Sequence, residues 1–215
     1  MVVKMIKNSE LFNTEESDLK EFFNRYSYPY EILPNIHDYI LELGSKLSLN
    51  DYNKIDDNIW IHKSVKMGSG VEIGGPAIIM EGVTLRHNAF IRGDVIVGPN
   101  SVVGNSCELK NSILLSHVEV PHFNYVGDSI LGNYAHLGAG VILSNLRLDK
   151  RNIRIEKIDT NLRKIGAFVG DNVQIGVNSV LCPGTIVYPN TIIYPLKLVN
   201  GIIDNNSKDV IVARL

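Results

Sequence analysis

The chain has 215 residues, enough for one domain with a substantial core or one domain with a small appendage. Its formal net charge is −2 and 20% of its residues are charged, so no basic excess points to nucleic acid as a partner. The opening MVVKMIKNSE lacks the apolar core of a signal peptide, and no apolar run approaches the ~18 residues of a membrane span, so no membrane partner and a cytoplasmic location are expected.

Residues 9–54 read as helical. An early helix over about 15–24 starts at Thr14, and YSYPYEILP forms a turn after it. Asn35 stands where it can cap a second helix, whose Ile36, Tyr39, Ile40 and Leu43 share one face and which ends near Gly44. The segment 1–54 is expected to be a short N-terminal cap that closes one end of the remaining chain, or else docks another protein.

A six-residue beat then begins. Stepping from Ile55, every sixth position is aliphatic: Ile61, Met67, Ile73, Ile79, Leu85, Ile91, Val97, Val103, Leu109 and Leu115. Two residues before each beat lies a small or β-branched side chain, including Val65, Val83, Ala89 and Cys107. Two spacings then shrink to five, Leu115 to Val120 and Val126 to Leu131, at VPHFNYVGDS, with His122 between them. The beat resumes at Leu137 and Leu143. The stretch 144–164, SNLRLDKRNIRIEKIDTNLRK, is polar, basic and out of step, and is expected to project as a loop or arm that lines a binding site. Val169, Ile175, Leu181, Val187 and Ile193 continue the beat to about 198, leaving 199–215 as a tail.

A period of six is neither a 3.6-residue helix nor plain strand alternation. It fits short strands separated by corners, with two residues per hexad pointing inward. Three hexads close a triangle, so the fold class is an all-β solenoid with 18-residue coils over 55–198. Residues 18 apart become neighbours on adjacent coils, ~4.8 Å apart. Arg92 and Lys110 are such neighbours, each directly after a beat. Stacked like charges repel, so the pair points to an anion site, with phosphate the natural guest.

His122 lies two residues after the beat Val120, His87 holds the same slot two coils earlier, and Asn105 lies between them. His117, five residues before His122, sits on a neighbouring face. The histidines are open to two readings, solvated corner residues or ligands of a metal. GNYAHLGAG, 132–140, has the small residues that corners need and that close ligand approach also needs. Cys107 and Cys182 are far apart, form no CxxC and look structural, so neither a disulfide framework nor a thiolate zinc site is expected.

The hexad pattern resembles the hexapeptide-repeat family, whose solenoid is a left-handed parallel β-helix. The left hand is implied by that resemblance alone, because the usual crossover rule gives the opposite hand. The stretch ELKNSILLSHVEVPHFNYVGDSILGNYAHLGAGVILSN is similar to the C-terminal acetyltransferase domain of bifunctional glucosamine-1-phosphate acetyltransferase/N-acetylglucosamine-1-phosphate uridyltransferases. It resembles still more the matching domain of archaeal sugar-1-phosphate nucleotidylyltransferases. The resemblance implies transfer of an acetyl group from acetyl-CoA to the amine of an amino-sugar 1-phosphate, glucosamine- or galactosamine-1-phosphate, for nucleotide-sugar synthesis. It implies His122 as the catalytic base and Arg92, Lys110, Tyr125, Asn145 and Lys164 as substrate contacts. Ala139 matches a backbone position that contacts the coenzyme A arm. A homotrimer with sites between subunits is implied, and no metal.

Three departures accompany the resemblance. His136 stands where the family usually has Asn in the substrate-binding column. Val177 and Pro195 replace a serine and an alanine at the coenzyme site. No Gly-rich nucleotide signature is present, so uridylyl transfer is not expected, and a separate nucleotidyltransferase is the expected protein partner. Two rival readings stand beside this one. The first is a non-catalytic trimer that binds sugar phosphates. The second is a γ-type carbonic anhydrase, which resembles this chain in IRGDV and the HxxxxH of His117 and His122, with His87 as third zinc ligand.

Overall fold

The structure, a computed structural model, describes residues 6–56 and 58–204. From 59 to 203 the chain winds as a parallel β-solenoid with three faces. The first face carries the strands Ile59–His62, Ala77–Ile79, Val95–Val97, Ala167–Val169, Thr185–Val187 and Ile202–Ile203. The second carries Lys66–Met67, Thr84–Leu85, Val102–Asn105, Glu119–His122, His136–Leu137, Gln174–Ile175 and Ile192–Ile193. The third carries Glu72–Ile73, Phe90–Ile91, Ile142–Leu143, Val180–Leu181 and Leu198–Val199. Two longer strands, Glu108–Leu114 and Tyr125–Leu131, run round the corner from the third face onto the first.

The beat residues are the core. Ile79, Leu85, Ile91, Val97, Val103 and Leu109 are fully or almost fully buried in one interior cluster, with Val83, Ala89, Val95 and Cys107 beside them. Each such aliphatic side chain contributes about 1.5–3 kcal/mol by leaving water. The corners need a residue in the left-handed region. Asn88, Asn100, Asn178 and Asn190 supply it at φ of 58°, 58°, 56° and 61°. Asn tolerates that conformation better than other residues with a side chain.

Met67, on the terminal strand of the second face, keeps its register with Leu85 but is 48% exposed, and the beat differs from the sequence reading in two further places. Ile55 is 63% exposed and belongs to Tyr52–Asp56, which runs antiparallel to Ile59–His62. The chain thus enters through a hairpin that covers the edge of the first coil, and the solenoid starts at Ile59. Leu115 is buried, but outside the solenoid. The register sets Ile113 beside Ile96 and Leu114 beside Val97, so Leu114 is the inward residue. The shortened spacings are therefore Leu109 to Leu114 and Val126 to Leu131. They lie one above the other on the third-to-first corner, not on the corner of His122. The run ILL at 113–115 offers several candidate beats, and periodicity alone cannot choose among them.

The first face is apolar on its outer side too. Ile78, Ile96, Ile113, Ile130, Phe168 and Ile186 point outward into a second buried cluster. The N-terminal segment covers them with α1 (Asn8–Leu11), α2 (Lys20–Asn24), α3 (Pro29–Ile32), a 3-10 turn (Leu33–Asn35) and α4 (Ile36–Gly44). These elements lie along the flank rather than closing an end. The stretch expected as a turn is helical because Pro29 opens α3 and Glu31 accepts from the Tyr28 N–H at 2.9 Å. Asn35 does not cap α4: its side chain donates back to the Glu31 carbonyl at 2.9 Å. Gly44 ends α4 against Trp60, whose ring would lie 2.5 Å from any added Cβ.

The insertion after Asn145 also folds back instead of projecting. Leu146 bridges to Lys164, Arg154–Ile155 pairs antiparallel with Ile158–Asp159, and Ile153 and Ile155 are buried in the outer cluster. The segment expected as a tail continues the solenoid through Leu198–Val199 and Ile202–Ile203, and the rest of that tail lies outside the described residues. Among the described residues no helix is long and apolar enough to cross a membrane.

Candidate active site

The shortened corner draws polar side chains together. Arg92 and Lys110 do stack, since Leu109 pairs with Ile91. Each cation already has an acidic partner. Arg92 Nη1 lies 2.7 Å from Glu108 Oε1, and Lys110 Nζ lies 3.4 Å from Asp128 Oδ1. The Glu108 carboxylate raises the Arg92 guanidinium further above its ordinary range. Neither acid stands out in the sequence as a partner, although Asp128 lies in the stretch that carries the resemblance.

Asp128 is the hub of this corner. Its side chain is only 5% exposed. One oxygen accepts from Asn111 Nδ2 at 2.9 Å as well as from Lys110, and the other accepts from Asn145 Nδ2 at 2.5 Å. A buried carboxylate is tolerable only with such partners. Losing one residue per coil pulls this position inward, with Asp128 at φ 50°. Asn145 also donates to the Tyr125 hydroxyl at 3.0 Å. Burial, then the Asp128 charge, pushes the Tyr125 phenol up, so it stays a neutral hydroxyl. Gly127 makes room: a Cβ there would meet the Tyr125 hydroxyl at 2.5 Å and Asn145 Nδ2 at 2.8 Å. Four expected substrate residues, Arg92, Lys110, Tyr125 and Asn145, thus share one cluster. Lys164 borders it, lining a cavity of about 500 Å³ together with Asn111 and Asp128.

His122 occupies the other edge of the third face, on the second-to-third corner. Here the backbone does the work. The carbonyls of Asn105, His122, Ala139 and Val177 accept from Phe123, Gly140, Asn178 and Leu196 at 3.0, 2.9, 2.8 and 2.9 Å. That ladder puts His122, Ala139, Val177 and Pro195 in one column. Beneath it Asn124, 2% exposed, accepts from the His122 N–H at 3.0 Å and donates to the Gly138 carbonyl at 2.7 Å. Asn124 carries no signal in the sequence beyond facing inward two residues before a beat. The His122 ring is exposed and makes no hydrogen bond among the described residues. Of the three amides at 138–140, Gly138 and Gly140 are spent on the ladder, which leaves the Ala139 N–H. Five residues separate His122 from Gly127 opposite Lys110, a reach of at most ~18 Å.

His136 is not drawn into this cluster. It lies on the second face, with Nδ1 2.8 Å from Glu119 Oε2. The three histidines of the metal reading are also apart. His87 Nδ1 sits 2.9 Å from Ser69 Oγ, two coils from His122. His117 stacks on Tyr134 at 4.7 Å, on the first-to-second corner. Cys107 is buried, and burial pushes its thiol up, away from reactivity.

Fold and site define a class: a hexad solenoid with a histidine on one corner and a polar cluster on the next. Residues 73–203 match the GMPPB C-terminal domain family, and the chain belongs to that family. It is 35% identical over 191 residues to the bifunctional protein GlmU of Methanococcus vannielii, covering 84% of this chain and 44% of that one. GlmU of Methanocaldococcus jannaschii is 34% identical over 199 residues, covering 88% and 48%. A bifunctional sugar-1-phosphate nucleotidylyltransferase/acetyltransferase of Sulfurisphaera tokodaii is 32% identical over 170 residues, covering 68% and 42%. The chain spans less than half the length of each of these relatives.

Proposed function

We propose that the protein transfers an acetyl group from acetyl-CoA to the amine of an amino-sugar 1-phosphate. The observation that carries this reading is the arrangement of the third face, with an exposed imidazole that makes no hydrogen bond among the described residues on one edge and a cluster holding two cations on the other. A sugar phosphate laid across the face puts its phosphate at the Arg92 and Lys110 edge and its amine toward His122. The name of the Sulfurisphaera relative, which includes acetyltransferase, supports the same chemistry.

In the reaction the amine nitrogen attacks the thioester carbonyl. A C–N bond forms, the C–S bond breaks, and the proton lost by nitrogen passes through His122 to the departing thiolate. Imidazole suits that transfer near neutral pH. The free Ala139 N–H is the donor for the oxyanion, and no acyl-enzyme is required. Arg92, Lys110 and Lys164 hold the phosphate, Tyr125 and Asn145 the sugar, and positioning supplies much of the rate. The column Ala139, Val177 and Pro195 gives the pantetheine arm an apolar track along the corner. Phe123, Leu196 and Leu198 are 61%, 75% and 74% exposed beside that track, and a homotrimer covers them and places His136 at a neighbour's site.

The test is thiol release from acetyl-CoA with glucosamine- and galactosamine-1-phosphate, alongside molar mass by light scattering. Turnover that vanishes in His122→Ala supports the reading. Binding of the sugar phosphate without any turnover converts it to a non-catalytic sugar-phosphate protein.

A further inference from the structure

The stacked pair does not by itself carry the charge that a phosphate dianion needs. Arg92 is neutralised by Glu108 and Lys110 by Asp128, so the four side chains sum to zero. Net positive charge stands elsewhere, on the insertion. Lys150, Arg163 and Lys164 line one cavity with Asn111 and Asp128, and Leu33, Pro34, Leu146 and Leu162 complete its wall. Among the described residues none of these three cations has a carboxylate partner, whereas Arg147 on the same insertion is paired with Asp149. The limbs that carry them are fixed. Leu146 bridges to Lys164, the Ile153 N–H donates to the Leu162 carbonyl at 2.8 Å, and the Gly166 N–H donates to the Asp128 carbonyl at 2.8 Å.

We propose that the phosphate subsite extends from the Arg92 and Lys110 edge into this cavity, that Lys150 and Arg163 join Lys164 in binding the phosphomonoester, and that the N-terminal segment forms part of its wall. The inference rests on the acetyltransfer reading for the identity of the sugar, but not for the presence of the anion. Three unpaired cations converging beside a carboxylate already matched by Lys110 leave an excess that a dianion balances. The aliphatic wall of Leu33, Pro34, Leu146 and Leu162 lowers the local dielectric and strengthens those contacts.

The test is calorimetric titration of glucosamine 1-phosphate and of inorganic phosphate into wild type, Lys150→Ala/Arg163→Ala and Lys157→Ala, with acetyl-CoA turnover measured in parallel. The double variant is expected to weaken both ligands about tenfold or more, the loss of one or two charge-assisted contacts. Its KM for the sugar phosphate should rise in step while kcat stays within about twofold of wild type. Lys157→Ala, on the same insertion but off the cavity, should bind as wild type does. Phosphate affinity unchanged in the double variant, or no phosphate binding by wild type, overturns the subsite. Weakened binding in a protein that never turns over acetyl-CoA keeps the subsite and overturns only the acetyltransfer reading. Since both substituted cations are exposed, the double variant should melt with wild type, and circular dichroism checks this.

Discussion

The two corners that bound the third face are built in opposite ways. On the third-to-first corner, two coils lose one residue each, Asp128 is drawn inside, and Lys110, Asn111 and Asn145 are all tied to it. On the second-to-third corner the hexads keep their length between Val120 and Val126, a backbone ladder braced by Asn124 closes the coils, and His122 stands outside with a ring that makes no hydrogen bond among the described residues. Shortening a coil creates a buried polar site that must be satisfied from within, so its groups are fixed before any ligand arrives. Keeping the coil regular leaves the His122 side chain exposed. On the proposed reading, the first corner binds and the second carries the chemistry.

His122→Ala is the sharpest way to break that division. Loss of a positioned general base should lower kcat for acetyl transfer by ~10²–10⁴-fold. Because the ring is exposed and holds no hydrogen bond among the described residues, urea unfolding should stay within about 0.5 kcal/mol of wild type. A large loss of stability would mean that this corner, too, depends on its side chain. Asp128→Ala should behave in the reverse manner. It strands Lys110, Asn111 and Asn145 together and should cost roughly 2–4 kcal/mol in urea unfolding. The KM for sugar phosphate should rise as well, since Lys110 and Asn145 lose the group that holds them. Stability unchanged in Asp128→Ala would remove the claim that this corner is internally satisfied.

Asn124→Ala tests how the open corner keeps its shape. The substitution removes the acceptor for the His122 N–H and the donor to Gly138, two contacts in the core, for about 1–3 kcal/mol. A small shift of the base relative to the acceptor should lower kcat by about tenfold while leaving phosphate binding alone. A matching rise in KM, with kcat intact, would place Asn124 on the binding side instead.

Much of this contrast is legible in the residues. The beat from Ile61 to Leu109 is plain because aliphatic side chains recur at one inward position of each hexad. The stacking of Arg92 on Lys110 comes from the 18-residue coil alone. Which corner is short cannot be read the same way. Ile113, Leu114 and Leu115 are all aliphatic, and the first face is apolar inside and out, so a one-residue slip leaves no trace in hydrophobicity. For the same reason the insertion reads as an arm: Ile153 and Ile155 are out of step with the beat because they pack on the outside of it. Asp128 and Glu108 are invisible as partners because they come from other coils, 18 and 16 residues from the cations they meet.

A second largely buried carboxylate sharpens the comparison with Asp128. Asp171, on the first-to-second corner, holds the N-terminal segment to the solenoid. It accepts from the Asn13 N–H at 2.8 Å, the Asn133 N–H at 2.7 Å and Asn133 Nδ2 at 3.1 Å. Those donors are neutral, whereas Asp128 has a lysine. Burial outweighs the three hydrogen bonds and pushes the Asp171 carboxyl up from its ordinary value. A folded pKa above the unfolded one means that the folded chain holds the proton longer. Its contribution is therefore complete below the unfolded value and is lost as pH rises through the folded one. Asp171→Asn removes the charge but turns one acceptor oxygen into an NH2 that faces a donor, Asn13 or Asn133, so at pH 7 it should destabilise by about 1–3 kcal/mol. Urea unfolding of the two proteins between pH 4 and pH 7 should show wild type gaining on the variant as the solution is acidified, because wild type recovers what its charge costs. A difference independent of pH would mean that neutral donors satisfy this carboxylate as fully as a cation does, and that lysine is not what sets the Asp128 corner apart.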